Sequence, residues 1–405
     1  MKKLKVLTIA GLLFSALLPA LAQCKEIVII DDSFEIDYKS LAGDAQTMTF
    51  AQKIPVDFGQ NMLISTQNCW HALSLVTLGA EGSTLEQLNQ IVNPNGLSQD
   101  ALVEYISYDA ACLYPNCISS SSFFVSPQIQ IQPQYQQALE KSGLEKIRSV
   151  DFSNIDGAIQ EINSWVQGAT KGKINELVTS SDIDDQTVAM LVAALYFKAS
   201  WQKPFSKDAT QTEPFYTVSA DALQVPMMHQ IDRFAYTSRD GFEYVALPYA
   251  MNGAAQWEME LILPPQCGTE EAVTALSSAL KGLRKSAKKQ RLDLSLPRFK
   301  ASMRWNVRDT MEQMGITLPF TDSADFSLIS EQPLKIQKVF QECFIDVTEE
   351  GTEGAAATAV SFALTSIREI KEPIPVSFNR PFYFIVREKI SGAVLFFGLI
   401  ENPLA

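Results

Sequence analysis

Histidine is almost missing from this chain: His71 and His229 are the only two in 405 residues. General acid–base catalysis draws on histidine more often than on any other side chain, so a hydrolytic reading starts with few candidates. His71 follows Trp70 on an apolar helical stretch and His229 follows Val225-Pro-Met-Met228 at a strand end, and both read as structural. No Gly-x-Ser-x-Gly elbow, His-Glu-x-x-His pair or phosphate-cradling glycine loop occurs. An exported hydrolase is therefore poorly supported, and nothing in the residues calls for a cofactor or a metal. Positive charge is short as well: 33 Lys and Arg against 46 Asp and Glu leave a net charge of −13. Nucleic acid and anionic membrane both want a basic face, so neither is expected as a partner. The one dense basic run, Lys281 to Arg291 (KGLRKSAKKQR), carries six positive charges; a solvated helix end accounts for it better than a polyanion site.

Long hydrophobic runs are absent beyond the N-terminus. There, Met1-Lys2-Lys3 and Lys5 precede the apolar stretch Val6 to Leu18, which ends in Pro19-Ala20-Leu21-Ala22. A basic start, an apolar run too short to span a bilayer and an Ala-x-Ala site predict a secretory signal over residues 1–22, cut after Ala22. A lipoprotein site at Cys24 is the lesser alternative, because Gln23 is a poor residue to precede a modified cysteine. The mature protein is then secreted or periplasmic, where disulfides can persist. Cys24, Cys69, Cys112, Cys117, Cys267 and Cys343 show no zinc-type spacing. Cys112 and Cys117 bracket a Pro-Asn turn, where a local disulfide would fit.

What remains is ordinary globular composition, 46% hydrophobic and 20% charged. Residues 23–55 read as an irregular tail and 56–405 as one domain, with no internal repeat and no linker rich in Gly, Ser or Pro. Helical spacing dominates first: Trp70 to Gly79, a capped start at Ser83-Thr84-Leu85-Glu86, then Pro133 to Ser142 and Ala158 to Ala169. Thr187 to Phe197 (TVAMLVAALYF) is apolar on both alternating faces and predicts a central strand covered on both sides. Strand patterns follow at 242–247, 257–263, 291–296, 382–386 and 393–397, interrupted by helical stretches near 270–283 and 305–314. Early helices ahead of many non-local strands indicate an α+β fold. One stretch fits none of this. Glu349 to Ile370 (EEGTEGAAATAVSFALTSIREI) places a run of small residues between strand patterns, and loops of such length are usually functional or disordered.

Several segments together carry a resemblance. Leu78-Gly79-Ala80-Glu81-Gly82-Ser83-Thr84-Leu85, Ile162-Asn163-Ser164-Trp165-Val166, Tyr196-Phe197-Lys198-Ala199-Ser200-Trp201 and Val225-Pro226-Met227-Met228 are the first of them. Leu247-Pro248-Tyr249, Leu296-Pro297-Arg298-Phe299, Ala324-Asp325-Phe326-Ser327, Phe378-Asn379-Arg380-Pro381-Phe382 and Gly398-Leu399-Ile400-Glu401-Asn402-Pro403 follow in order. The pattern resembles the serpins, a family of serine- and cysteine-protease inhibitors, from about Val56 to Pro403. The resemblance implies a large mixed central sheet, two further sheets, eight or nine helices and an exposed reactive-centre loop over about 349–376. It implies a monomer whose partner is a target serine or cysteine protease, held covalently. The protease cleaves the loop, and the loop inserts into the central sheet before the acyl-enzyme can hydrolyse. Native serpins are thus metastable, with kinetic rather than equilibrium stability. A non-inhibitory carrier or chaperone on the same fold is the alternative reading.

The resemblance also assigns residues. Glu349, Gly351, Thr352, Glu353, Gly354, Ala355, Ala356, Ala357 and Thr358 become the loop hinge. If they form a strand, Thr352, Gly354, Ala356 and Thr358 face the core while Glu353, Ala355 and Ala357 face away. No charge or proline stands on the inward set, where either would obstruct insertion. Counting from Gly351 puts the scissile bond at Thr365-Ser366, with Leu364 and Arg368 as alternative bait residues. The first two suit elastase- or subtilisin-like proteases and Arg368 a trypsin-like one. Trp201 is the family's tryptophan at the top of the sheet. In the polar cluster that controls sheet opening, Ser65 is kept, but Asn68 replaces a family serine, Ala193 an asparagine and Gln341 a histidine; Thr66 stands for a proline. Because buried polar groups need partners, the Asn68 and Gln341 side chains are expected within hydrogen-bond reach of one another or of a shared backbone group.

Overall fold

The computed structural model describes residues 41, 43–54, 60–113, 116–144, 147–184, 186–219, 222–251, 255–265, 269–352 and 372–405. A first helix, α1 (Asp44–Lys53), and the strand β1 (Met62–Ile64) lead into α2 (Thr66–Thr77), α3 (Gly82–Val92) and α4 (Gln99–Leu113). Next come β2 (Cys117–Val125), α5 (Pro133–Ser142), β3 (Arg148–Ser149) and α6 (Ile155–Ala169). Strands then dominate: β4 (Ala189–Phe197), β5 (Ala199–Ser200), β6 (Gln211–Tyr216), β7 (Ala222–Arg239), β8 (Phe242–Pro248) and β9 (Trp257–Leu263). They are followed by α7 (Glu270–Ser286), β10 (Lys288–Pro297), β11 (Phe299–Asn306), α8 (Val307–Gln313), β12 (Lys338–Thr348) and β13 (Gly351–Thr352). β14 (Ile374–Ser377), β15 (Phe382–Glu388) and β16 (Val394–Ile400) close the chain.

Local chemistry sets the helix ends. Ser65 caps α2 by accepting from Asn68 N at 3.2 Å, and Thr269 caps α7 by accepting from Ala272 N at 3.1 Å. α7 also carries Glu270 and Glu271 in its first turn and Arg284 and Lys285 in its last, matching the helix dipole at both ends. α5 starts on Pro133 and stops at Gly143, which takes a left-handed φ of 71°.

Two sheets organise the molecule. The first runs β3-β2-β4-β12-β13-β5, with β11 on the far edge of β12. In the second, β1-β16-β15-β9-β8 continues through β7 into β10 and β14, with β6 also on β7. The two further sheets that the resemblance implies are here continuous. β7 is 18 residues long and pairs with β6 at one end, β10 along its middle and β8 at the other.

β4 is buried along its whole length, as its two-sided apolar pattern requires. Met190, Val192 and Ala194 pack with Ile162 and Val166 of α6, whereas Leu191 and Ala193 join the core on the α2 side. The sheet is therefore sandwiched between α6 and α2.

Three sequence-based expectations change. The tail assigned to residues 23–55 ends earlier, because residues 44–53 form α1, whose Thr47, Met48, Phe50 and Ala51 are buried. Phe50 packs edge-on against Trp305 at 5.5 Å, an anchor 255 positions away in sequence that no local pattern reveals. The local disulfide at the Pro-Asn turn is not made: Cys117 opens β2 as a buried free thiol, turned into the core beside Leu113 and Leu195. His229 lies inside β7 rather than at a strand end, bonded through Nε2 to Glu213 Oε1 at 2.8 Å and through Nδ1 to the Ser295 hydroxyl at 3.1 Å.

Candidate functional site

The seam between β4 and β12 carries the candidate site. These strands run parallel and pair only from Lys338↔Met190 to Glu342↔Ala194. At the upper end of β12, Val347 and Thr348 pair instead with Thr352 and Gly351 of β13, which pairs on its other edge with β5. Between these contacts, residues 343–346 of β12 have no strand partner on this edge among the described residues. The sheet is parted like a wedge, and Gly351 and Thr352 of the hinge stand in its mouth.

Each described residue of the hinge is tethered. Phe205 N and Trp201 N donate to the carbonyls of Glu349 and Glu350 at 2.8 and 3.0 Å. Glu350 meets Lys207 Nζ at 2.7 Å, an exposed pair whose hydrogen bond holds the Glu350 carboxyl below the usual range. Glu349 is buried, accepts from Thr210 Oγ1 at 2.8 Å and has Arg298 Nε at 3.7 Å. Gly351 has φ 148°, and a Cβ there would stand 2.2 Å from the Ala199 carbonyl oxygen. Only glycine fits this close approach between strands. Thr352 is 1% exposed and its hydroxyl meets Tyr249 Oη at 2.6 Å. Tyr249 stacks on Trp201 with ring centroids 4.5 Å apart, and Trp201 Nε1 donates to Thr348 O at 2.9 Å. Thr352 thus faces inward. Glu353, Gly354, Ala355, Ala356, Ala357 and Thr358 of the hinge, and Leu364, Thr365, Ser366 and Arg368 at the bait, lie outside the described residues.

Beneath the paired half of the seam, Ser65, Asn68 and Gln341 come together. The Gln341 carboxamide grips the start of α2 from β12: its Oε1 accepts from Ser65 N at 3.0 Å and its Nε2 donates to Ser65 O at 2.8 Å. The same Nε2 reaches Asn68 Oδ1 at 3.3 Å and Cys69 Sγ at 3.0 Å. Asn68 Nδ2 points the other way, to Ser119 Oγ at 3.0 Å, Ser120 O at 3.2 Å and Ala194 O of β4 at 3.3 Å. The side chains of Asn68 and Gln341 therefore bond both to each other and through Ser65. Ala193 adds no polar group and joins the apolar core. Thr66, in the place of a proline, buries a hydroxyl with no partner among the described residues.

Sequence reasoning missed three members of this cluster. His71 Nδ1 meets Ser119 Oγ at 2.9 Å, and His71 Nε2 meets Asp109 Oδ2 of α4 at 3.0 Å. The signal for the strand side was present: Ser119 to Ser122 put four serines directly ahead of Phe123 in a strand, and three of them are buried. Asp109 gave none. Glu342, facing away from the cluster on β12, is also notable: burial pushes its carboxyl up to about 7, partly offset by Arg304.

The family model described as Serpin (serine protease inhibitor) matches residues 45–403, nearly the whole span of this fold. The chain belongs to the serpin family. Its relatives include Serpin-Z1C of Triticum aestivum, 31% identical over 369 residues that cover 86% of this chain and 92% of the relative. Among solved structures, Serpin48 of the insect Tenebrio molitor superposes with a TM-score of 0.76 at 25% identity, covering 89% of this serpin and 96% of that chain. Uncleaved ovalbumin superposes at 0.77, also with 25% identity, covering 90% and 100% respectively. The α+β architecture, with a seven-stranded sheet that receives the hinge, is thus the serpin fold.

Proposed function

We propose that this serpin is a secreted suicide inhibitor of serine or cysteine proteases, exported by residues 1–22 and acting through insertion of its cleaved loop between β4 and β12. The observation that carries the reading is the seating of Gly351-Thr352. Two hinge residues already occupy the mouth of the seam in strand register, with Thr352 inward against Tyr249. Residues 343–346 of β12 lie directly below, without a strand partner among the described residues. The sequence that follows, small and free of proline through Thr365, suits a segment that waits in water and then enters a sheet.

Incubation with an elastase, a subtilisin and a trypsin, followed by denaturing gels, tests this. A complex that survives detergent is expected with at least one enzyme, and the mass of the released C-terminal fragment then decides among Leu364, Thr365 and Arg368. Clean cleavage by all three, with no complex, would overturn the reading in favour of a non-inhibitory serpin. Gly351→Ala serves as the control. A methyl group 2.2 Å from the Ala199 carbonyl oxygen expels the hinge from its seat, so this variant is expected to be cut but to trap at least about tenfold less protease; a clash left unrelieved by even about 1.4 kcal/mol is a factor of ten.

A further inference from the structure

Asn68 sits where the two sides of the seam meet, but its hydrogen bonds do not end at the sheet. Asn68 Nδ2 donates to Ser119 Oγ, and that hydroxyl also meets His71 Nδ1 at 2.9 Å. His71 is one helical turn beyond Asn68 on α2 and is 2% exposed. Its Nε2 reaches Asp109, which is 4% exposed and accepts from Gln67 Nε2 as well. A carboxylate can only accept, so His71 donates through Nε2 to Asp109. That bond fixes the orientation of the ring, and its Nδ1 stands against the Ser119 hydroxyl. The Ser119 oxygen in turn accepts from Asn68 Nδ2.

We propose that His71 and Asp109 are positioning residues for sheet opening, and that they make α4 part of the latch. They orient Ser119, Ser119 holds the Asn68 carboxamide against β2 and β4, and Asn68 presents its oxygen to Gln341 on β12. Parting the seam must break either the Gln341 contacts or the Asn68 contacts, and the His71–Asp109 bond binds α2, α4 and β2 into one body that resists the second route. Removing Asp109 leaves two buried donors, His71 Nε2–H and Gln67 Nε2–H, without this acceptor. A displacement of α4 would act on the seam through the same bonds. The inference rests on the reading that β4 and β12 part, and it concerns the rate at which they do so.

The test needs no protease. A synthetic peptide of sequence TEGAAATAVSFAL, matching residues 352–364, is mixed with the uncleaved protein, and its insertion is followed by the gain in heat resistance. Asp109→Leu and Ser119→Ala are expected to take up the peptide about tenfold faster than wild type, the weight of one buried hydrogen bond. Asp109→Asn, which keeps an acceptor oxygen, is expected to return the rate to within about threefold of wild type. A purely structural role predicts lower melting temperatures with unchanged uptake, and that result in both Asp109→Leu and Ser119→Ala overturns the proposal. Should Asp109→Leu fail to fold, Ser119→Ala decides alone. Wild type that accepts peptide but traps no protease overturns the inhibitory reading and leaves this one standing. Wild type that refuses the peptide overturns this one, because the seam then does not open.

Discussion

Glu342 is the residue whose ionisation bears most directly on the seam. It stands on β12 at the last position paired with β4, half-buried, with Oε2 lacking a partner among the described residues. Burial raises its carboxyl to about 7 from an ordinary value of 4.5, with Arg304 drawing it partly back. A carboxyl whose folded pKa is raised binds its proton more tightly in the native state than in the unfolded one. Its contribution to stability is then fully present below pH 4.5 and is lost as pH rises through about 7. Thermal scans at a fixed rate should show wild type losing stability across this window. Glu342→Gln is expected to flatten the slope, melting a few degrees higher than wild type at pH 8 and equally at pH 4.5. An unchanged slope would show that Glu342 ionises freely in the native protein.

At the scale of elements, the basic run over 281–291 divides into two kinds of residue. It spans the end of α7 and the start of β10, so its six charges do not share one face. Arg284 turns inward. Its guanidinium bonds Glu260 at 2.6 Å through both Nε and Nη2 and also grips Asp44 of α1. Glu260 is fully buried, with Tyr244 Oη at 2.8 Å and Arg387 Nη1 at 3.4 Å as further partners. This bidentate bond pins α7 to β9 and fastens α1, the helix that extends the fold beyond its expected start. Removing Arg284 leaves the buried Glu260 carboxylate with only Tyr244 and the longer contact to Arg387. Arg284→Ala is expected to lose about 3–5 kcal/mol of stability, read as a large drop in melting temperature. Replacing Lys288 and Lys289 by Gln, both exposed at the start of β10, should leave melting unchanged. Equal effects from the two variants would mean that Arg284 behaves as a surface charge.

For the whole molecule, the governing feature is a sheet held closed at one end and parted at the other. The lower seam is a five-residue parallel ladder braced from below by the Ser65–Asn68–Gln341 cluster. The upper seam is occupied by the hinge. A new strand entering the gap would satisfy the backbone groups of residues 343–346 on this edge and complete the sheet, so the cleaved form should be much the more stable. Nicking within residues 360–370 is expected to raise the melting temperature by at least about 10 °C, since several kcal/mol gained across a chain of this size correspond to a shift of that order. An unaltered melting profile after a confirmed cut would show that the loop does not insert.

Much of this architecture was legible in the residues. The two-sided apolar run at 187–197 required a strand covered on both faces, and α6 and α2 cover it. Asn68 and Gln341 stood out because two amides replaced a serine and a histidine, and buried amides must find partners; they found each other. Thr352, small and uncharged, could face inward, and it does. Other features had no local signature. Asp109 is 38 positions from His71, and an aspartate on a helix reads as solvated until folding sets α4 against α2. α1 lacks a strong apolar stripe and is held by Trp305 and Arg284, both more than 200 residues away in sequence. The sequence by itself determined which segments could form strands and helices, because periodicity and side-chain size act locally. Only the tertiary structure decided which polar groups share a proton or a hydrogen bond across the seam, because those partners come from elements that meet nowhere along the chain.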